Sequence, residues 1–259
     1  MIHISKASKS IYVFLVSCIY VFLYMPLIVL VLYSFNQGGF PDIWRGFSLH
    51  WYVDLLNSVD IWRAFTNSII VAFCSATLSV LMAIFFIHGS RKQGIDWTAL
   101  FYSNIVISDI VLAVGLLALF SAISVPLGLT TLIAGHTLLG LGFVIPVIKN
   151  RYDELDDSII EASLDLGASS QYTFLHVTIP FLYPAIFSAF LLAVIVSFDD
   201  FLISFFCSGA SVQTLSLYIF SMIRSGVSPV VNALSTILLL ISLLLMIGIL
   251  MFQKNVLHK

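Results

Sequence analysis

The sequence predicts an all-α polytopic membrane protein with six transmembrane helices and both termini in the cytoplasm. Three observations carry that prediction. The 259 residues are 60% hydrophobic and 9% charged, with a mean hydropathy of +1.09. A soluble domain carries roughly 25% charged residues, so this surface must face lipid rather than water. Apolar stretches long enough to cross a hydrocarbon core of about 30 Å, which takes about 20 helical residues, recur six times along the chain. Lys and Arg are, in addition, distributed unequally between alternate loops.

The spans follow in order. Lys6 and Lys9 precede an apolar run from Ile11 to about Tyr33. It exceeds the 7–15 residues of a signal-peptide core and no small-x-small cleavage site follows, so it reads as an uncleaved first span. The second span is placed at about 65–87, opening after Arg63, and the third at about 98–120 with Asp109 inside it. Pro126-Leu127-Gly128 breaks the next apolar stretch as turn residues do, which places the fourth span at about 129–149. The fifth is placed at about 180–203 and the sixth at about 230–252, where Ser228-Pro229 supplies a cap and a proline for the first helical turn. Residues 201–223 are charge-free but contain Ser208-Gly209-Ala210-Ser211 and Gln213-Thr214. Lipid would leave that polar run unsatisfied. The expectation is the end of span five, a turn and a short outer helix near 214–225, with a re-entrant segment as the alternative.

With both termini inside, the cytoplasmic face holds Lys6, Lys9, Arg91, Lys92, Lys149, Arg151, Lys254 and Lys259, against Arg45, Arg63 and Arg224 outside. The positive-inside rule favours this orientation. The net charge of −2 says nothing about nucleic acid, but the sequence has no basic run that could track a phosphate backbone. Cys18, Cys74 and Cys207 stand far apart in apolar runs, which gives neither a metal-ligand cluster nor a disulfide framework. The outer loop 36–63 is aromatic (Phe40, Trp44, Phe47, Trp51, Tyr52, Trp62) and reads as an interfacial belt. His136 and His176 are assigned to ordinary packing or interfacial positions.

The loop from about 150 to 179 is the longest cytoplasmic one and carries Asp153, Glu154, Asp156, Asp157, Glu161 and Asp165. Ser158-Ile159-Ile160-Glu161 fits a capping box. Ile160, Leu164 and Gly167 recur at helical spacing, and Gly167 suits a helix end that needs a left-handed residue. Ser169 or Ser170 caps a second short helix leading to Pro180. The product is a helix-turn-helix on the inner membrane face, in which Glu161 is either a simple cap or part of a contact surface. Glu161-Ala162-Ser163, three residues, Gly167, nine residues and Val177-Thr178-Ile179-Pro180 resemble the EAA signature (EAA-x3-G-x9-I-x-LP) of permease subunits of binding-protein-dependent ABC importers. Ser163, Val177 and Ile179 depart from it by small or aliphatic exchanges. In that family the segment docks in a cleft of a cytosolic ATPase, which implies coupling roles for Glu161, Ala162, Ser163, Gly167 and Pro180. The chain has no G-x-x-x-x-G-K-[ST] loop of its own, so ATP and Mg belong to that separate subunit. No cofactor and no covalent chemistry are expected in this chain.

Charged groups at bilayer depth cost about 2.5–3.5 kcal/mol or more, so membrane acids mark function. Asp109 falls about 12 residues into span three, roughly 18 Å deep. Asp199 and Asp200 fall near the outer end of span five, and no Lys or Arg within the spans neutralises these acids. Carboxylates at two depths suit a cation, and Trp51 offers a cation–π surface for an ammonium group. Capping of an interfacial helix end by Asp200, and partner contact or capping of a broken helix by Asp109, are the alternatives. From about residue 12 to 250 the chain resembles the C-type permeases of spermidine/putrescine ABC importers. Gly46 to Tyr52, Ser108 to Val111, the EAA loop, Ser197 to Asp200 and Tyr218 to Ala233 carry the likeness, although the family often has proline where Ser108 stands. The resemblance implies polyamine-pathway roles for Trp51, Asp109, Ser197, Asp199 and Asp200, and a single permease domain over 1–259 with the importer-permease (MetI-like) fold. It also implies a second permease subunit, an ATPase dimer, a periplasmic polyamine-binding protein and a bacterial inner-membrane location. An importer for another small cation, and a stand-alone secondary transporter, are the rival readings.

Overall fold

The computed structural model describes residues 6–38, 43–93, 98, 101, 107–210, 212–226 and 229–257. Its named elements are helical: α1 (Lys6–Tyr33), α2 (His50–Asn57), α3 (Val59–Gln93), α4 (Asp109–Ala122), α5 (Leu129–Asp153), α6 (Asp157–Asp165), α7 (Ser170–Thr173), α8 (Ile179–Asp199), α9 (Leu202–Cys207), α10 (Leu215–Ser225) and α11 (Pro229–Leu257). A wide π turn, Phe174–Thr178, joins α7 to α8. Four stretches are long and apolar enough to cross a membrane: Tyr12–Tyr33, Val59–Arg91, Leu129–Asp153 and Ser170–Asp199. Asp109–Ala122 and Pro229–Leu243 are shorter apolar helices. The chain divides into two compact units, one of residues up to Val59 with those from Ile219 onward, the other from Asp60 to Tyr218.

In the first unit α11 packs on α1 and α2. Side chains 12–28 of α1 are all exposed, as a helix wrapped in lipid requires. The aromatic loop is more ordered than an interfacial belt demands. Its two arms pair through Gln37 N to Gly46 O (2.8 Å) and Ser48 N to Phe35 O (2.7 Å). Phe35 stacks on Phe47 at 5.1 Å, and Gly46, at φ +127°, makes the return that an L side chain resists.

The second unit is built around α5. Ala76, Val80, Ala83 and Ile84 of α3, Val144, Ile145 and Ile148 of α5, and Leu182, Ala189 and Ala193 of α8 form one core cluster. A second joins Val71 to Leu116, Leu132, Ile203 and Cys207 of α4, α5 and α9. Small residues set the spacing, as in other membrane helix pairs. A Cβ on Gly140 would stand 2.6 Å from Ser79 Oγ, and one on Gly135 would stand 2.7 Å from Ile203 Cγ2. Ser79 Oγ donates to Thr137 O at 2.9 Å, tying α3 to α5.

Several boundaries differ from the sequence reading for identifiable reasons. α3 begins at Val59, so Arg63 lies inside the helix instead of before it. Asp109 opens a helix, and Ser108 before it is extended at ψ 135°. Asp109 therefore sits in a first helical turn, where its charge meets the positive end of the helix dipole. The beginning of the expected third span lies largely outside the described residues, as does Ser228. α8 ends at Asp199, four residues short of the expected 203, because Asp200 turns extended (ψ 131°) before α9 resumes. A helix, α10, stands where a short one was expected near 214–225.

Candidate functional site

The segment from Asp156 to Pro180 follows from local chemistry. Asp156, not Ser158, caps α6: its carboxylate accepts from Ser158 N at 2.9 Å. The aspartate comes two residues earlier and presents a charged acceptor to the helix start, so the S-x-x-E box goes unused. That bond holds the exposed Asp156 carboxyl below its ordinary value. α6 ends at Gly167 with φ +87°, where Ala168 N reaches Ser163 O (3.2 Å) and Gly167 N reaches Leu164 O (2.9 Å). Ser169 caps α7 through Tyr172 N at 3.2 Å. Pro180 lacks an N–H and crowds the carbonyl four residues before it. The preceding turn widens into the π segment, and the chain runs on into α8. Ile159, Ala162, Ser163, Leu166, Gly167 and Tyr172 line an open groove. No residue of α6 is buried, and Leu166 is 89% exposed. Glu161 is also exposed on α6.

The segment is tied to the C-terminal end of α3. Arg91 pairs with Asp157, donates to Tyr152 O at 3.2 Å and lies 4.9 Å from the centre of the Tyr152 ring. His88 Nδ1 is 3.0 Å from the Tyr152 hydroxyl. Exposed His176 stacks on Tyr172 at 4.0 Å.

The acids gather at the break between α8 and α9. Asp200 Oδ2 accepts from Ser204 N at 3.0 Å, and Asp200 O accepts from Ser216 Oγ at 2.7 Å. The Asp200 side chain is only 6% exposed, with His136 Nε2 3.7 Å away. Asp199, the last residue of α8, and Asp109 are exposed. Both lie within electrostatic reach of Asp200. Asp109 and Asp199, expected at two depths, thus both contribute to the electrostatic surroundings of Asp200. Buried Ser197 joins them through His136, its Oγ being 2.9 Å from Nδ1. Among the described residues no Lys or Arg pairs with these acids. Trp51 belongs to the other unit, where its indole N–H donates to Asn36 O at 2.8 Å.

His136 is the member of this cluster that sequence reasoning left to ordinary packing. The readable signal was its position: a histidine in a long apolar helix must find polar partners. Ser197 and Ser204 are those partners. Among the described residues no His, Cys, Asp or Glu group has a metal-binding arrangement. Cys18 and Cys74 are exposed and Cys207 is buried.

The fold defines the class. A solved bacterial ABC transporter involved in the import of the acidic polysaccharide alginate superposes with a TM-score of 0.70 at 14% identity, covering 95% of this chain and 97% of that one. The chain therefore shares the fold of that transporter chain. Sequence narrows it. The spermidine/putrescine transport system permease protein PotC of Haemophilus influenzae is 36% identical over 244 residues, 92% of this chain and 94% of the relative. PotC of Escherichia coli K12 is 35% identical over 236 residues, 90% of this chain and 89% of the relative. The putrescine permease PotI of the same strain is 36% identical over 231 residues, 85% of this chain and 82% of the relative. The chain belongs to the family of PotC and PotI transport-system permeases. No family model matches it.

Proposed function

We propose that this chain is the membrane permease subunit of an ATP-driven importer that carries polyamines into the cytoplasm across a bacterial inner membrane. The observation that carries the reading is the carboxylate cluster of Asp109, Asp199 and Asp200, which no Lys or Arg neutralises among the described residues. Its relatives bear the names of spermidine and putrescine permeases. A linear polyamine presents separated ammonium groups. Asp200, Asp199 and Asp109 receive them in sequence, Ser197 supports the buried end, and Trp51 offers an aromatic face along the path.

The chain works as one permease domain with six spans and both termini cytoplasmic. Its partners are a second permease, a cytosolic ATPase dimer that holds ATP and Mg, and a periplasmic polyamine-binding protein. Glu161, Ala162, Ser163 and Gly167 form the coupling surface. Close approach through the small residues and an exposed apolar edge at Leu166 support this role. Pro180 sets the wide turn through which motion of α6 enters α8. ATP binding then switches the path from inward-facing to outward-facing.

The test is uptake of labelled spermidine and putrescine by a strain deleted for this chain and complemented with it. Asp109→Asn and Asp200→Asn are each expected to lower the initial rate about tenfold, equivalent to ~1.4 kcal/mol. Wild-type uptake by both carboxamide variants removes the acid path. Polyamine flux through the purified chain alone, without nucleotide, overturns the importer reading.

A further inference from the structure

His136 lies about seven residues, roughly 10 Å, into α5 and is 1% exposed. Its Nδ1 is 2.9 Å from Ser197 Oγ. Its Nε2 is 3.3 Å from Ser204 Oγ and 3.7 Å from Asp200 Oδ2. One ring thus touches residues on both sides of the α8–α9 break. A buried polar group is costly unless paired, and an apolar side chain of similar volume usually fills such a site at no loss of stability. Packing alone does not explain a histidine here.

The donor order is set from the Ser204 end. Ser204 Oγ donates to Asp200 O at 3.3 Å, so it receives the His136 Nε2–H. A neutral imidazole with its proton on Nε2 accepts at Nδ1, and the Ser197 hydroxyl donates there. Ser75 Oγ lies 3.2 Å from Ala72 O and 3.3 Å from Ser197 Oγ. The chain Ser197, His136, Ser204 ends on the backbone of Asp200.

We infer that His136 is a positioning residue for the transported cation: through Ser204, its Nε2–H holds the 200–204 break, and with it the Asp200 carboxylate, in the orientation that receives an ammonium group. The inference rests on the polyamine reading above. It assigns the work to Nε2, whereas Nδ1 only accepts from Ser197 Oγ.

Two amides separate the two nitrogens. In His136→Gln the side-chain nitrogen reaches the place of Nε2. In His136→Asn it reaches only the place of Nδ1. Labelled-spermidine uptake is measured in the deletion strain with the whole importer present and normalised to the amount of chain in the membrane. His136→Gln is expected within about threefold of wild type and His136→Asn about tenfold lower, a difference of ~1 kcal/mol or somewhat less between them. Equal rates for the two amides, whether both retained or both lost, overturn the inference, because a merely structural histidine does not distinguish them at equal membrane levels. Failure of the wild-type chain to import spermidine or putrescine is read separately in the same assay and removes the polyamine reading itself.

Discussion

Asp156 and Gly167 frame the coupling helix by single-residue chemistry. The Asp156 carboxyl is held below its ordinary value by Ser158 N–H. Its contribution to α6 is therefore present above the unfolded value of about 3.9 and is lost as pH falls through the lowered folded value. Hydrogen exchange of the 157–165 amides, corrected for intrinsic rate, is expected to show that loss in the wild type. Asp156→Asn retains a neutral acceptor and abolishes the acid-dependent step, while Asp156→Ala frays the helix at neutral pH as well. At Gly167 a Cβ would meet nothing within 4 Å, so space is not the constraint. The constraint is φ +87°, which costs an L residue about 1–2 kcal/mol. Gly167→Val is expected to lower ATPase co-purification severalfold and Gly167→Asn distinctly less, since asparagine tolerates the left-handed region. Equal effects of the two would place the glycine's role in close approach to a partner.

Helices meet through small residues and one charged tie. Gly140 lets α5 approach Ser79 of α3. Gly140→Leu is expected to lower the melting temperature of the purified chain, since overpacking costs about 1–3 kcal/mol. Arg91 binds the end of α3 to the first turn of α6 through Asp157, with Tyr152 as a second hold. A partly exposed pair is worth little by itself, about 0–1 kcal/mol, so its value lies in transmission. Arg91→Asp and Asp157→Arg are each expected to reduce ATP-driven uptake at unchanged membrane levels, and the double exchange to restore it. Uptake that multiplies the two losses in the double variant would show that the two side chains act independently. Much of this scale was legible. The Pro126-Leu127-Gly128 break, the α6–α7 pair and α10 were foreseen because glycine, proline and cap residues act locally. The start of the helix at Asp109 and the turn at Asp200 were read only as alternatives, the capping of a broken helix and of a helix end, because apolar runs on both sides hide the break.

For the whole molecule, orientation is the property most open to a direct check. A fluorescent protein fused after Lys259 is expected to fluoresce and alkaline phosphatase fused there to stay inactive, as a cytoplasmic C-terminus requires; the reverse pattern removes the inside placement of the EAA segment. Composition and span length together determined that this is an all-helical membrane protein, because a continuous apolar run of about 20 residues crosses lipid as a helix that satisfies its own backbone polar groups. The Glu161 to Pro180 spacing determined the importer-permease family for a similar reason: helix caps and turns are written in neighbouring residues. Tertiary structure alone decided which acids act together and what holds them. Asp109 and Asp200 are 91 residues apart and His136 and Ser197 are 61 apart in the chain. Such distances close only when α3, α4, α5, α8 and α9 pack, and burial then obliges each polar group to find its partner.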